Sequence, residues 1–199
     1  MLSKRTPLIA VLAGCAFFAA LLFYFISKNL VQNDSAPFAE HTATIYKQEQ
    51  VSFGLPMRLK IPSINIDAAI EYVGLTPDGT MDVPKNPDNV AWFEFGPRPG
   101  ENGSAVIAGH YGWKNKKASV FDNLYKLRKG DKLYIEDDKG MIISFVVRES
   151  RKYDQKADAS DIFSSNDEKP HLNLITCEGV WDKVSKSYSQ RLVIFTDKE

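Results

Sequence analysis

Hydrophobic and polar positions follow two different patterns along the chain. From Leu8 to Ile26, nineteen consecutive residues carry no charge. From about Leu55 onward, short apolar runs instead alternate with polar and turn-forming residues. A long apolar run is typical of a membrane helix, whereas short alternating runs indicate β-strands. The pattern therefore predicts residues 1–28 as a cytoplasmic tip and signal-anchor helix, 29–54 as a polar stalk or arm, and 55–199 as one globular domain.

The globular part has the pattern of an antiparallel β protein. Turn signals such as Pro77-Asp78-Gly79 and Lys139-Gly140 separate its apolar runs, because Pro, Asp and Gly favour the backbone angles of tight turns. Many short strands with little helix between them favour a closed barrel or a sandwich. The predicted strands cover 57–61, 64–73, 104–109, 132–136, 141–149, 172–177 and 190–196.

One or two short helices are expected between these strands. Ser119 is a suitable cap for a helix over 119–127, and Asp122, three residues later, is placed to bond back to the first turn. Gly130 then ends the segment. A second helical turn is expected over 159–163.

The N-terminal run has the length and flanks of a retained anchor. Nineteen helical residues rise about 28 Å, close to the thickness of a bilayer's hydrocarbon core. Lys4 and Arg5 precede the run and Lys28 follows it. Because positive residues stay on the cytoplasmic side, the charge difference places the N-terminus inside and the globular domain outside the cell.

Two other interpretations fit this run less well. A cleaved signal peptide has a shorter apolar core and small residues at its exit, whereas this run ends in Phe23-Tyr24-Phe25-Ile26. Leu12-Ala13-Gly14-Cys15 is similar to a lipoprotein processing site, but the apolar run continues for eleven residues beyond Cys15. A membrane anchor fits both observations better.

Charge and cysteine content narrow the function classes. Lys and Arg together number 25, as do Asp and Glu, so the formal net charge is zero. Nothing in this balance suggests a nucleic-acid partner, which would need a basic face. Cys177 is the single cysteine of the globular part. A free thiol outside the cell is either a buried structural residue or a retained nucleophile, and composition alone leaves both open.

The surroundings of Cys177 favour chemistry. The alternating run 171–177 stops at Cys177, which predicts that Cys177 is the last residue of its strand. Arg191 begins the next strand. If the two strands pair antiparallel, Cys177 and Arg191 are neighbours at one rim, with residues 178–190 arching over them as a loop. An arginine in that place is suited to stabilise an oxyanion or hold a substrate backbone.

His110 follows a third apolar strand, 104–109. A nucleophilic thiol needs a base or a cationic partner, and histidine is the usual one. Taken alone, a histidine in this place fits a surface or turn residue better than a catalytic one. His171 lies on the strand of Cys177 but roughly 20 Å from it, so a structural or exposed role is expected. No cofactor is expected, because no residues stand at metal-ligand spacing, and Ca²⁺ between the acidic loops is an unsupported alternative.

Three segments together resemble the sortase family. Ala105–His110 is similar to the family's histidine segment, Leu174-Ile175-Thr176-Cys177 to its cysteine motif, and Ser189–Val193 to its arginine strand. Their order and spacing agree over about 59–196. Asn173-Leu174 departs from the pattern, because Thr-Leu is common there. The subclass features look most like those of the class D, E or F sortases, and they are Pro99-Gly100, Gly103 and Cys177-Glu178-Gly179-Val180-Trp181.

The resemblance implies an all-β fold, the closed eight-stranded sortase barrel, and a cysteine transpeptidase. Cys177 would attack the Thr carbonyl of an L-P-x-T-G-like sorting signal and release the Gly side. His110 would protonate the leaving amine and later deprotonate the incoming nucleophile. Arg191 would bind the substrate backbone and the oxyanion. The backbone N–H of Glu178 would be a second oxyanion donor, and Thr176 would contact the substrate.

The implied partners are surface proteins with a C-terminal sorting signal and an amine acceptor, either a peptidoglycan precursor or a pilin. The implied location is the membrane of a Gram-positive bacterium, held through residues 8–26. Two alternatives stay open at this point. One is a cysteine hydrolase that uses water as acceptor at the same site, and the other is a non-catalytic peptide-binding barrel with Cys177 as a core thiol.

Overall fold

The structure, a computed structural model, describes residues 52–114 and 117–199. The predicted anchor (1–28) and nearly all of the predicted stalk (29–54) lie outside these residues. Within the described ranges, no helix is both long enough and apolar enough to cross a membrane.

Eight of the ten described strands close into a barrel. The strands are β1 (Pro56–Ile61), β2 (Ile66–Val73), β3 (Val90–Phe93), β4 (Gly103–Gly109), β5 (Trp113–Lys114), β6 (Lys117–Ala118), β7 (Lys132–Asp137), β8 (Ile142–Asp154), β9 (Pro170–Asp182) and β10 (Ser187–Lys198). The barrel order is β1-β2-β3-β4-β9-β10-β8-β7, and β5 pairs with β6 in a separate ribbon. Closure pairs both edges of every barrel strand. The predicted closed eight-stranded barrel is confirmed.

Two apolar clusters lie on opposite faces of the barrel wall. Alternate side chains of a strand point to opposite faces, and one set fills the barrel interior, including Leu59, Ile107, Phe145, Leu174 and Ile194. The other set on β4 and β10 joins Ile162 in an outer cluster made of Val106, Ile162, Val193 and Phe195. Strands β4, β9 and β10 are therefore covered on both faces, which explains their nearly continuous apolar runs.

The predicted helix over 119–127 is wrong. Only a 3₁₀ turn, Leu124–Lys126, forms there. The Asp122 carboxylate accepts the Gly112 N–H at 2.6 Å, and the Ser119 hydroxyl donates to the Gly112 carbonyl at 2.6 Å. Because both predicted capping groups bond to Gly112, neither stabilises a helix start.

Two more 3₁₀ turns lie elsewhere in the described residues. Ser160–Ile162 forms one where a helical turn was expected over 159–163. Pro62–Ile64 forms another at the start of the predicted strand 64–73. Asn65 then adopts a left-handed conformation with φ of 57°, so β2 begins at Ile66. In the described residues, helical structure is limited to such turns.

The expectation that Cys177 ends its strand is also wrong. Strand β9 continues to Asp182 and stays paired with β10, so residues 178–190 extend a hairpin instead of forming a loop. The pairing shifts by one residue between Tyr188 and Gln190. Gly179 lies opposite this shift with φ of 86°, which is typical of a β-bulge whose first residue is a left-handed glycine. The bulge re-aims the hairpin beyond Cys177.

Candidate active site

Three neighbouring strands bring the predicted site residues into one row. Cys177 on β9 pairs directly with Arg191 on β10. On its other side β9 runs parallel to β4, with Ala108 level with Ile175. His110 directly follows the last residue of β4, and extending the β4–β9 register by two residues brings it level with Cys177. Because adjacent strands lie about 4.8 Å apart, His110 and Arg191 flank Cys177, each one strand away.

Strand alternation places the three side chains on the same face. Ile107, Leu174 and Leu192 belong to the interior cluster. His110 and Cys177 each lie three positions after one of these, and Arg191 lies one position before Leu192, so all three alternate to the outer face. They share that face with the outer apolar cluster.

A side-chain bond ties β4 to β9 beside the row. The Thr176 hydroxyl donates to the Gly109 carbonyl at 2.7 Å, and Thr176 is only 4% exposed. The two residues directly precede Cys177 and His110. The Phe121 N–H donates to the His110 carbonyl at 3.0 Å, and a Cβ on Gly109 would collide with the Phe121 ring. Only glycine therefore allows this packing.

The imidazole of His110 is oriented by a main-chain carbonyl. Its Nε2 lies 2.7 Å from the Pro84 oxygen. A carbonyl oxygen only accepts, so Nε2 carries the hydrogen and donates to it. In the neutral ring Nδ1 is then the free base. Pro84 thus takes the orienting role that a carboxylate has in other nucleophile–histidine sites, and sequence reasoning missed it.

The guanidinium of Arg191 is held by its own strand. Nη1 donates to the Tyr188 carbonyl at 3.1 Å and to the Gln190 carbonyl at 2.9 Å. Within residues 52–114 and 117–199, Nε and Nη2 have no hydrogen-bond partner. Because a guanidinium has five N–H donors in a fixed plane, those two nitrogens are available for a substrate oxygen or an oxyanion.

Burial controls the ionisation of the nucleophile candidate. The half-buried position of Cys177 raises the pKa of its thiol, and the nearby Arg191 charge opposes that rise. Burial is the larger effect, because the net direction is upward. At neutral pH the resting sulfur is therefore mostly the protonated thiol, and attack on a carbonyl needs a base to take its proton.

The side chains of Glu178 and His171 make their contacts outside this row. The side chain of Glu178 points away from the outer face, and its Oε1 lies 2.9 Å from Lys152 Nζ. The oxyanion role of the Glu178 backbone N–H stays a prediction. His171 is buried at the far end of β9, with Asp197 and Asp167 each 2.8 Å from one ring nitrogen. It is structural and does not join the site. Among the described residues, no cluster of acidic, His and Cys side chains is arranged to hold a metal ion.

Comparison with known proteins gives one family. The model of the sortase domain matches residues 59–199. No curated protein sequence matches the chain. The structure is similar to that of sortase C-1 from Actinomyces oris, with 25% identity, a TM-score of 0.57, and coverage of 72% of this chain and 74% of that one.

Two further solved structures agree. Streptococcus agalactiae sortase C1, in complex with MTSET, is 26% identical with a TM-score of 0.56, over 72% of this chain and 66% of that one. A lid mutant of sortase A from Corynebacterium diphtheriae shares the fold at 23% identity, with a TM-score of 0.58 over 76% of this chain and 74% of that one. These relatives bear the names of classes A and C, and the class D, E or F assignment stays a prediction. Because the family model covers well over half of the sequence, the chain belongs to the sortase family of cysteine transpeptidases.

Proposed function

We propose that this sortase cleaves an L-P-x-T-G-like sorting signal between Thr and Gly and transfers the new carboxyl end to an amine. The observation that carries the proposal is the row of His110, Cys177 and Arg191 on the outer face of three adjacent strands. It places a proton carrier and a fixed cation on either side of a nucleophile, each about one strand spacing from it.

The first half of the reaction uses all three members of the row, and His110 acts first as base and then as acid. As Cys177 Sγ attacks the Thr carbonyl carbon, its proton passes to His110 Nδ1. The carbonyl oxygen becomes an oxyanion that accepts from the free nitrogens of Arg191 and, by family resemblance, from the Glu178 N–H. The C–N bond then breaks, and His110 returns the proton to the leaving amine of Gly. A thioester on Cys177 remains.

The second half reverses these steps with a different amine. His110 Nδ1 takes a proton from the acceptor nitrogen as that nitrogen attacks the thioester carbon. The C–S bond breaks and the thiolate recovers the proton from His110. One amide bond is exchanged for another, so the reaction needs no oxidant, reductant or cofactor.

The outer apolar cluster is suited to the first residues of the signal. In L-P-x-T-G, Leu precedes Thr by three residues, or roughly 10 Å of extended chain. A peptide with its Thr carbonyl at Cys177 that runs back along β9 passes Ile175 and reaches the level of Val106 and Phe195. Both belong to a cluster that is itself buried, and the partly buried Ile175, Phe93 and Met81 pack against it, so Leu and Pro would find apolar contacts at the edge of the cluster.

Thr176 has a positioning role in this proposal. The sequence predicts that Thr176 contacts the substrate, but its hydroxyl is buried and donates to the Gly109 carbonyl. Because this bond joins the residues before Cys177 and His110, it fixes the separation of nucleophile and base. Contact with the substrate is left to the neighbouring outer-face residues.

The partners and location follow from the same proposal. The substrates are surface proteins that end in a sorting signal, and the acceptor is an amine of a peptidoglycan precursor or a pilin. The uncharged run 8–26 anchors the enzyme in a Gram-positive membrane with the barrel outside. A free thiol in an otherwise cysteine-free extracellular domain supports a catalytic use of Cys177.

The test uses the full chain in detergent micelles with a peptide containing L-P-A-T-G. We expect cleavage between Thr and Gly and, with triglycine present, an L-P-A-T-triglycine product by mass spectrometry. Cys177→Ala should give neither product. Cleavage that persists in Cys177→Ala, or that occurs at another bond, contradicts the proposal. If only the hydrolysed peptide forms, even at a high triglycine concentration, the result would favour the hydrolase alternative.

A further inference from the structure

The hairpin beyond the barrel carries an aromatic contact that links its strands to the segment after β4. The Tyr188 ring on β10 packs edge-to-face against Trp181 on β9, with centroids 5.0 Å apart. On its other side it packs edge-to-face against Tyr111, at 5.3 Å. Tyr111 directly follows His110. Such aromatic pairs stabilise a fixed geometry beyond the apolar area that they bury.

The Tyr188 ring packs directly against Gly112. A Cβ on Gly112 would lie 2.5 Å from the Tyr188 hydroxyl oxygen and 3.6 Å from Cζ. The first distance is a collision and the second an ordinary contact. Gly112 is itself held by Asp122 and Ser119, through the two hydrogen bonds described above. The ring therefore rests on a fixed point two residues after His110.

The main chain of Tyr188 reaches the other side of the row. Its carbonyl accepts from Arg191 Nη1, and the one-residue shift at the bulge is what pairs Tyr188 with Trp181. Burial, together with the charges of Tyr111 and Cys177, raises the pKa of the Tyr188 phenol. The phenol is thus neutral at working pH, which suits a packing role better than a role as base.

We propose that Tyr188 is a positioning residue for transpeptidation: its carbonyl orients Arg191, while its ring, seated on Gly112 and Tyr111, holds the segment that carries His110. Because both contacts come from one residue, Tyr188 fixes the positions of His110 and Arg191 relative to each other, on either side of Cys177. The proposal rests on the proposed function for its kinetic readout.

The test is a double-mutant cycle between residues 112 and 188. Gly112 adopts φ of 97°, so Gly112→Ala strains the backbone and also places a methyl group against the Tyr188 hydroxyl. Tyr188→Phe removes that hydroxyl and leaves Cζ as the nearest atom, so it relieves the collision and leaves the backbone strain unchanged. We expect Gly112→Ala to lower kcat for L-P-A-T-G cleavage at least about tenfold, since small displacements of catalytic groups have large effects. Tyr188→Phe alone should lower kcat about threefold. In the Gly112→Ala background the same substitution should raise kcat about fivefold.

Three further measurements sharpen the result. Tyr188→Ala should lower kcat about 30- to 100-fold with KM changed less than about threefold, which indicates lost positioning and not lost binding. Alkylation of Cys177 by iodoacetamide in a Cys15→Ser background should show the same non-additivity. Tyr125→Ala, at a half-exposed tyrosine on another turn, is the control and should leave both rates unchanged.

Additive effects of Gly112→Ala and Tyr188→Phe on both readouts overturn the proposal, as does a Tyr188→Ala variant with wild-type kcat. The alkylation cycle keeps the test separate from the proposed function, because it does not require cleavage. If the wild-type chain cleaves no peptide and alkylation is still non-additive, the transpeptidation proposal fails, while the coupling of Tyr188 to Gly112 and to the thiol stands.

Discussion

The Thr176 hydroxyl donates to the Gly109 carbonyl across 2.7 Å, and this bond fastens β9 to β4 one residue before the nucleophile and one residue before the histidine. A second buried threonine, Thr196, makes the same kind of bond to the Leu172 carbonyl at 2.6 Å, between β10 and β9 at the far end of the barrel wall. The pair offers a matched comparison of a bond beside the site with a bond remote from it.

Thr176→Val should weaken both stability and catalysis. The valine keeps the volume but leaves the buried Gly109 carbonyl without its donor, which costs about 1–3 kcal/mol of unfolding free energy. We expect kcat to fall about tenfold, because the spacing of Cys177 and His110 relaxes. Urea unfolding and peptide cleavage measure the two effects.

Thr196→Val is the control for this change. It should cost a similar unfolding free energy and leave kcat near that of the wild type. If both variants lose the same fraction of kcat, the Thr176 bond contributes only to stability and has no positioning role.

Arg191→Lys should lower kcat about 100-fold with the fold intact. Lysine keeps the charge but cannot be held by two backbone carbonyls while it presents further donors in the same plane. Arg128→Lys is a matched control, because Arg128 Nη1 also donates to two nearby backbone carbonyls, those of Tyr125 and Leu127, and lies on an exposed turn. Near wild-type cleavage by Arg191→Lys would exclude a role in stabilising the oxyanion.

The pH dependence of alkylation should report the balance of burial and charge at Cys177. Burial raises the thiol pKa above its ordinary value and Arg191 opposes the rise, so the alkylation midpoint of the wild type in the Cys15→Ser background should lie above that of a free cysteine. Arg191→Gln removes the opposing charge and should move the midpoint higher still. A midpoint that moves down in this variant would show that Arg191 does not act on the thiol through its charge.

The raised pKa of the Cys177 thiol also makes stability depend on pH. A thiol whose pKa is higher in the folded than in the unfolded state contributes stability below the unfolded pKa, and that contribution is lost as pH rises through the folded pKa. Cys177→Ser should therefore lose less unfolding free energy than the wild type when the pH is raised into the alkaline range.

The pairing of Cys177 with Arg191 was predictable from the sequence pattern, whereas the position of His110 was not. The alternation before Cys177 and the apolar run after Arg191 were enough to predict paired strands and to place the two residues side by side. The position of His110 in the same row depends on the parallel pairing of β4 with β9. No local pattern encodes that pairing, and the family resemblance supplied it.

The structural features that the sequence did not predict have specific physical causes. Strand β9 continues past Cys177 because the bulge at Gly179 restores pairing after a break in alternation, so the pattern looked like a strand end. The helix at 119–127 failed because its capping groups bond to Gly112. Pro84 was missed because it acts through its carbonyl, which every residue has. Strand β3 was missed because it is short and buried without alternation.

The hydrogen bond between Thr176 and Gly109 also bears on how the enzyme acquires activity. Its partners are 67 residues apart in sequence, and pairings of such long range form slowly compared with hairpins. Cys177 and Arg191 sit on one hairpin and can meet early, whereas His110 arrives only when β4 docks against β9. A chain that is still folding would thus carry its thiol beside its arginine but without its base. Recovery of peptide cleavage during refolding should accordingly lag behind formation of the β9–β10 hairpin.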